Sequence, residues 1–369
     1  MRILVLNHEF PPVGGGASPV SFGLAEYYAK AGHEVSVVTM AFSDLPEKQK
    51  VNEKLTIFRV TPGRKHKEKS KMSEHITYIQ RGYAMCKHLH REKQFDVCHT
   101  HFALPGGILA LRLKNKLGLP YILSVHGSDV PGHNPGFNTI HTIMSSLTKR
   151  VFSNARNVTY PSRSLKDIVI KLYPSLSNKS VTIANGSKDY YREAIKEENI
   201  VIFVGRLQNI KRVDVLIEAF KRANNSHWKL YIIGDGPEKE NLKANSEGKE
   251  NIIFTGWMSN ESNEYTELLN KAKIFCSLSS TESQGIALVE AMSAGCALVV
   301  SNIDAHRETT DKSTAVFING EKIDEARKAI QWLIDNPSEC RKKGSNARQM
   351  YKERFIWDTI SPRYLDLFT

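Results

Sequence analysis

Short runs of β-branched and other apolar residues alternate along this chain with longer stretches whose apolar positions recur every three to four residues. The first run is RILVL, followed by a glycine-rich loop, a helical pattern through Ala25 to Ala31, Gly32, and then EVSVVTM. LTIFRV, FDVCHT, PYILSVHG and NVTYPS follow, the last three separated by helical stretches. That rhythm predicts a parallel α/β sheet. It stops in the polar segment ANGSKDYYREAIKEEN and then restarts with IVIFVG, a helix from Val213 to Ala223, WKLYIIG, NIIFTG, KIFCSLS and CALVVS, with helices to the end. The pattern predicts two Rossmann-like halves joined by a linker near Asn185 to Asn199. The length of 369 residues, more than one core usually organises, agrees with two domains. Ligands of such sheets bind at the carboxyl ends of strands, so the loops after the apolar runs are where chemistry is expected.

Composition narrows the class. Hydrophobic residues make up 41% and charged residues 24%, as in an ordinary globular protein and unlike a disordered one. The five cysteines are widely spaced and form neither a CxxC pair nor a zinc-type cluster, which fits a reducing cytoplasm. The apolar run at the start is far too short for a signal-peptide core, and no segment approaches a membrane-spanning length, so neither secretion by that route nor an integral protein is expected. The net charge of +12 is unevenly placed: the first 190 residues hold 26 Lys+Arg against 13 Asp+Glu, and the remainder 25 against 26. An anionic partner for the first half is one reading, and a soluble basic surface is the other. No base-stacking or groove-reading motif accompanies the charge, so nucleic acid is not an expected partner.

Three loops carry candidate chemistry. PPVGGGASP sits where a dinucleotide fingerprint would, but Pro19 replaces its third glycine, and the strand ending in Val38, Thr39 and Met40 lacks the acidic residue that would hold a ribose. A nicotinamide dehydrogenase is therefore disfavoured. In FVGRLQNIKRVDVLIEAF, a strand ends at Gly205, Arg206 and Lys211 follow, and a helix starts near Val213, which would suit a phosphate. In TESQGIALVEAMSAG, a helix predicted from about Ile286 to Ala294, with Gly285 at its start and Ser283 as a candidate cap, is almost wholly apolar yet contains Glu290. A buried carboxylate needs a partner or a task. On one continuous helix Glu282 and Glu290 would stand roughly 80° and ~12 Å apart. With Glu282 in the loop, both can address a ligand over the helix N-terminus, which favours a phosphate. A Glu290 paired with a backbone amide or a lysine is the structural alternative.

These residues resemble the family 4 glycosyltransferases, whose signature of two glutamates seven residues apart followed by Ala-Met-x-x-Gly stands here as Glu282-SQGIALV-Glu290-AMSAG. The resemblance extends over nearly the whole chain: PPVGGG, HFALPGG from Phe102 to Gly107, VHGSD from Val125 to Asp129, Asn185 with Gly186, VGRL with Lys211, IIGDGP from Ile232 to Pro237, and FTG from Phe254 to Gly256. It implies a GT-B fold, two facing Rossmann-like domains with parallel sheets and an inter-domain cleft. The N-terminal domain (1–187) would bind the acceptor and the C-terminal domain (188–354) the nucleotide sugar, with a last helix over 355–369 packing back on the first domain. Position by position, the resemblance implies that Arg206 and Lys211 neutralise the donor diphosphate, that Glu290 binds the ribose, and that Glu282 holds hydroxyls of the transferred sugar. Amides around Gly205, Gly285, Ile286 and Ala287 would support the donor. The loop of Gly234, Asp235 and Gly236, with Met258 after Gly256, would border the base, and Gly15 and Gly16 would close on the diphosphate from the opposite domain. His126 would face the transferred sugar and the acceptor, with Asp129 beside it. Departures from the family pattern are Ser283 and Gln284 in place of a Gly-aromatic pair, Arg212 where glycine often stands, and Ser187-Lys188 in place of Val-Asp.

The resemblance further implies retention at the anomeric carbon. With no DxD triplet in the chain, neither an obligatory metal nor a cofactor beyond the nucleotide-sugar donor is expected. GRKHKEKSK, from Gly63 to Lys71, precedes the cationic, aromatic helical pattern HITYIQRGYAMCKHLHREK. Arg64, Lys65, Lys67, Lys69 and Lys71 are thereby expected to meet a lipid-linked or glycan acceptor or an anionic membrane surface, at the cytoplasmic face, or else to form a solvated loop. A nucleotide-sugar epimerase of the same architecture and a non-catalytic sugar-nucleotide-binding subunit are the competing readings.

Overall fold

The computed structural model describes residues 1–66, 70–133, 138–193, 198–224 and 226–368. The chain divides into two compact units, Met1–Asn185 with Trp357–Thr369, and Gly186–Ile356.

The first unit is built on strands β1 (Arg2–Leu6), β2 (Glu34–Phe42), β3 (Lys48–Lys50), β4 (Leu55–Arg64), β5 (Val97–His101), β6 (Tyr121–Ser124), β7 (Val158–Tyr160) and β8 (Ser180–Thr182). They form one sheet in the order β3-β4-β2-β1-β5-β6-β7-β8. Every pairing is parallel except that of β3 with β4. Helices cover both faces, which is why the central strands read as continuous apolar runs rather than alternating ones: Ile3, Leu4, Val5 and Leu6 are all fully buried. β3, with the sequence Lys-Gln-Lys and all three residues exposed, is an edge strand with no apolar pattern to announce it. The short β8 was likewise invisible in the pattern.

The returning segment is not one helix over 355–369. It forms two short helices, Trp357–Ile360 and Pro362–Leu365. Pro362 opens the second, and a proline cannot continue the hydrogen-bond ladder of the turn before it. Both pack on the first unit. Trp357 lies against Gly23, where a Cβ would come within 2.3 Å of its ring, and Tyr28 packs edge-on to Phe368. Arg363 and Arg156 tie the backbone down through bonds to the Thr182 carbonyl and from Arg156 to the Phe368 carbonyl.

The second unit holds β9 (Ile200–Val204), β10 (Lys229–Ile233), β11 (Ile252–Gly256), β12 (Ile274–Ser277), β13 (Ala297–Ser301) and β14 (Ala315–Ile318). All run parallel in the order β11-β10-β9-β12-β13-β14. Counted from β9, that is 3-2-1-4-5-6, the doubly wound order in which the chain reverses its direction of winding between β9 and β12. In the first unit the corresponding reversal falls between β1 and β5. Those two points define where each sheet opens at its carboxyl edge. Among the described residues, no helix is long and apolar enough to cross a membrane.

Candidate functional site

In the second unit the loops after β9 and β12 meet at the switch point. The β9 loop passes Gly205 and Arg206 into a 3-10 turn, Asn209–Lys211, and then a helix, Val213–Arg222. The β12 loop runs from Leu278 to Gly285 and enters the helix Ile286–Ser293. The Ser280 amide donates to the Ile210 carbonyl at 2.8 Å and laces the two loops together. Lys211 Nζ then stands 2.5 Å from Glu282 Oε1, with the Ser279 hydroxyl donating to the same oxygen at 2.9 Å. Burial alone would raise the Glu282 carboxyl, but Lys211, with help from His306 and Ser279, outweighs it and holds the group below the usual carboxylate range.

Glu282 lies in the loop, not on the helix. Ser283 does not cap; Gly285 is the N-cap residue, with φ +89° and no side-chain cap bond. A left-handed turn at that position is open to glycine at little cost. Among the described residues no side chain caps the first-turn amides, and the positive end of the helix adds to the field there. A Cβ on Gly285 would lie 4.0 Å from the Glu282 carboxyl carbon, so helix start and carboxylate are neighbours. Arg206, Ile286 and Ala287 are half-buried around this point.

Glu290, one turn further along, is buried, and among the described residues its hydrogen-bond partners are neither a backbone amide nor a lysine. Tyr265 donates to Oε2 at 2.5 Å, while Tyr190 and the Asn260 amide donate to Oε1 at 3.3 Å each. Burial raises the Glu290 carboxyl, and these three hydrogen bonds only partly offset it. Tyr190 is itself pinned: its amide donates to Ser293 Oγ, its carbonyl accepts from Asn270, and neighbouring Asp189 makes a two-pronged pair with Arg348. A carboxylate so held is oriented in advance and presents acceptor oxygens suited to hydroxyl groups.

The turn after β10 packs directly on the β9 loop. Gly234 has φ +142°, and a Cβ there would sit 1.9 Å from the Gly205 carbonyl oxygen; at Gly236 it would meet Leu207 at 2.3 Å. Asp235 is engaged locally, accepting from the Gly236 amide and pairing with Lys239 at 2.6 Å, which lowers its carboxyl. Met258 is half-buried in the loop after β11. Arg212 adopts a left-handed backbone, φ +52°, a conformation that favours glycine.

In the first unit the β1 loop carries Gly14 in a positive-φ turn and Gly16 as the N-cap of the helix Ala17–Lys30. The Gly15 amide donates to Glu9 Oε2 at 3.0 Å, so Glu9 occupies the position expected for an anion. His126 follows β6 and hydrogen-bonds through Nε2 to His101 Nδ1 at 3.0 Å. Burial pushes His126 down to about 4, with Glu9 opposing. Asp129 does not face outward. Its two oxygens take the amides of Ala103, His126 and Gly127, so it shapes the loop that presents His126. Arg64 ends β4 with its side chain 0% exposed, donating from Nε to the His66 carbonyl with Nη1 3.8 Å from Glu9; it is not a surface cation. Lys65 and Lys71 are exposed, while Lys67 and Lys69 lie outside the described residues.

Sequence reasoning missed Glu9, Tyr190, Asn260, Tyr265, Ser279 and His101. Tyr190, Asn260, Tyr265 and His101 act through partners on other elements, which no spacing along the chain marks, while Ser279 and Glu9 meet Glu282 and Gly15 within their own loops, whose folding no apolar pattern fixes.

Comparison with known proteins places this geometry in context. Residues 14–187 match the sequence model described as Glycosyltransferase Family 4, and residues 190–350 match that described as Glycosyl transferases group 1. The alpha-monoglucosyldiacylglycerol synthase of Acholeplasma laidlawii is 24% identical over 100% of this chain and 97% of its own. Sucrose-phosphate synthase from Thermosynechococcus elongatus superposes with a TM-score of 0.80 at 18% identity, covering 100% of this chain and 98% of that one. The HepE protein of Anabaena, solved in complex with UDP-glucose, superposes at 0.78 and 16% identity, covering 99% and 98%. The likeness to these two structures shows the fold, GT-B.

Proposed function

The chain belongs to the group 1 glycosyltransferases of family 4, and from that premise we propose that it moves a hexose-type sugar from a nucleotide-diphosphate donor to a hydroxyl of a glycan or lipid-linked acceptor, with retention and without a metal. The observation that carries the reading is the meeting of Lys211, Glu282 and an uncapped helix N-terminus at the switch point of the second sheet. Such a point offers a diphosphate two cations, Arg206 and Lys211, and a helix dipole of the right sign. Glu282 exchanges its bond to Lys211 for hydroxyls of the transferred sugar, and Glu290, already oriented by Tyr265, Tyr190 and Asn260, accepts from the ribose.

In the step itself, the acceptor hydroxyl oxygen bonds to the anomeric carbon as the bond to the diphosphate oxygen breaks. The hydroxyl proton passes to that departing oxygen on the same face, which gives retention. Arg206, Lys211 and the helix start stabilise the charge that accumulates on the leaving group.

A lipid-linked acceptor, and with it a role in cell-surface polysaccharide or glycolipid synthesis, is supported by the first unit. At the start of the helix Met72–Lys93, Met72 and Ile76 are 51% and 50% exposed, close in sequence to the exposed Lys65 and Lys71. Apolar side chains beside cations suit an anionic membrane surface. The name of the Acholeplasma relative is that of a glycolipid synthase. Sedimentation with vesicles tests this, and equal binding to neutral and anionic vesicles removes the electrostatic part.

The donor site is tested by a thermal-shift panel of UDP, GDP, ADP and their common sugars on the wild type and on Glu290→Gln. Stabilisation by one nucleotide that the variant loses supports the reading and identifies the base. Failure of every nucleotide to bind the folded wild type overturns it.

A further inference from the structure

The carboxyl edge of the first sheet is lined with histidines whose environments differ in one informative way. His99 on β5 has both ring nitrogens occupied, Nδ1 with the Tyr28 hydroxyl at 3.1 Å and Nε2 with Ser124 Oγ at 2.7 Å. It is a satisfied core residue, pushed down to about 3 by burial. His101, two residues on, is fully buried, but only its Nδ1 has a partner, His126 Nε2 at 3.0 Å. Its Nε2 is buried with no hydrogen-bond partner among the described residues. The two rings stack, with centroids 5.3 Å apart and planes 17° from parallel.

That asymmetry decides where the protons sit. Burial keeps both imidazoles neutral, so each carries one N–H and one lone pair. If His126 Nε2 were the donor, the His101 proton would be on Nε2, and a buried N–H would be left without an acceptor. If His101 Nδ1 is the donor, what remains unpaired on His101 is a lone pair. Orphaned buried N–H groups are rarer than under-satisfied acceptors, and leaving a buried donor unmade costs about 1–3 kcal/mol. The second arrangement wins.

We infer that His101 is a positioning residue that fixes His126 as the Nδ1–H tautomer, so that His126 meets its ligand as a hydrogen-bond donor and not as a base. The loop geometry agrees. Asp129 clamps the His126 and Gly127 amides, and Phe102 packs against the His126 ring with centroids 4.7 Å apart, so the ring is held in orientation while His101 selects the proton position. The ligand this suits is one with an acceptor oxygen, such as a sugar hydroxyl or ring oxygen. That consequence rests on the transferase reading; the tautomer does not.

Long-range proton–nitrogen correlation spectra of ring-labelled histidine test it on the ligand-free protein near neutral pH, with His126→Gln identifying the His126 signals. The expected wild-type result is a protonated Nδ1 and a bare Nε2 on His126. His101→Asn, whose side-chain amide can occupy the place of Nδ1, keeps that pattern, and His101→Phe loses it. In turnover, His101→Phe lowers kcat about 10- to 100-fold, by analogy with the loss on removing the outer hydrogen-bond partner of a metal-binding histidine, with little change in donor KM, and His101→Asn recovers most of the loss. A protonated Nε2 in the wild type overturns the inference outright, as does an unchanged tautomer in His101→Phe. Equal loss of turnover in the Asn and Phe variants overturns the positioning role. Because the spectra need no substrate, they stand whether or not sugar transfer is found.

Discussion

Replacing Lys211 with Met removes the principal partner of the Glu282 carboxylate. The two groups lie 2.5 Å apart with side chains 19% and 13% exposed, so water screens them weakly. Removing one member of a buried pair costs ~3–5 kcal/mol. The remaining Ser279 donor and the residual exposure reduce this, and the expected loss near neutral pH is about 2–3 kcal/mol. The pH dependence supplies the sharper test. In the wild type the Glu282 carboxyl is held below its unfolded value of about 4.5, so its contribution is fully present above that pH and is lost as pH falls through the lower folded value. In Lys211→Met, burial dominates, the folded value rises above the unfolded one, and the same carboxyl becomes more destabilising as pH rises. Denaturant unfolding of the second unit at about pH 5 and pH 8 should therefore show a deficit that widens toward the higher pH. Adding Glu282→Gln should recover part of it, with a coupling energy of at least ~1.5 kcal/mol in the double-mutant cycle. A coupling below ~0.5 kcal/mol, or a deficit that does not change with pH, would refute the reasoning.

Tyr265→Phe strips the shortest hydrogen bond from a buried carboxylate, and urea unfolding should register a loss of about 1.5–3 kcal/mol; a change under 0.5 kcal/mol would mean that Tyr190 and Asn260 suffice. Gly234→Ala places a Cβ 1.9 Å from the Gly205 carbonyl oxygen in a backbone conformation that L-residues avoid. It should cost about 3 kcal/mol and lower donor affinity by moving the loop that bears Arg206, while wild-type melting and affinity would contradict that packing. Arg212 pays a left-handed backbone penalty for surface pairs with Asp214 and Glu321 at 3.5 and 3.6 Å. Denaturant unfolding should place Arg212→Gly above the wild type by up to about 1 kcal/mol and Arg212→Val below it, because a β-branched residue fits a left-handed backbone worst, and an equally stable valine variant would argue against strain at this residue.

Much of the second unit was legible in advance. The apolar runs IVIFV, KLYII and ALVVS became β9, β10 and β13 because strands covered on both faces have no reason to alternate. The start of the glutamate helix was readable from Gly285, whose φ of +89° is the conformation a glycine there would serve. The misses have equally physical causes. Ser283 failed as a cap because Gly285 already made the turn. The single returning helix broke at Pro362. Arg64, read as a surface cation within a basic run, is buried because it falls on the last residue of β4, where the strand turns its side chain toward Glu9.

What the sequence determined by itself was local: the period of its elements, the number of its sheets, the loops after its strands as the place for chemistry, and the identity of Arg206, Lys211, Glu282, Glu290 and His126 as groups that call for explanation. Hydrophobic period and turn chemistry act within a few residues of the chain, so they can be read from it. Only the tertiary structure decided the partners. Lys211 reaches Glu282 across 71 positions, Tyr190 reaches Glu290 across 100, and His101 reaches His126 across 25. Each meeting depends on strand order and on which loops a parallel sheet brings to one edge. Whether a carboxylate or an imidazole is charged, and which nitrogen holds the proton, follows from burial and from those partners.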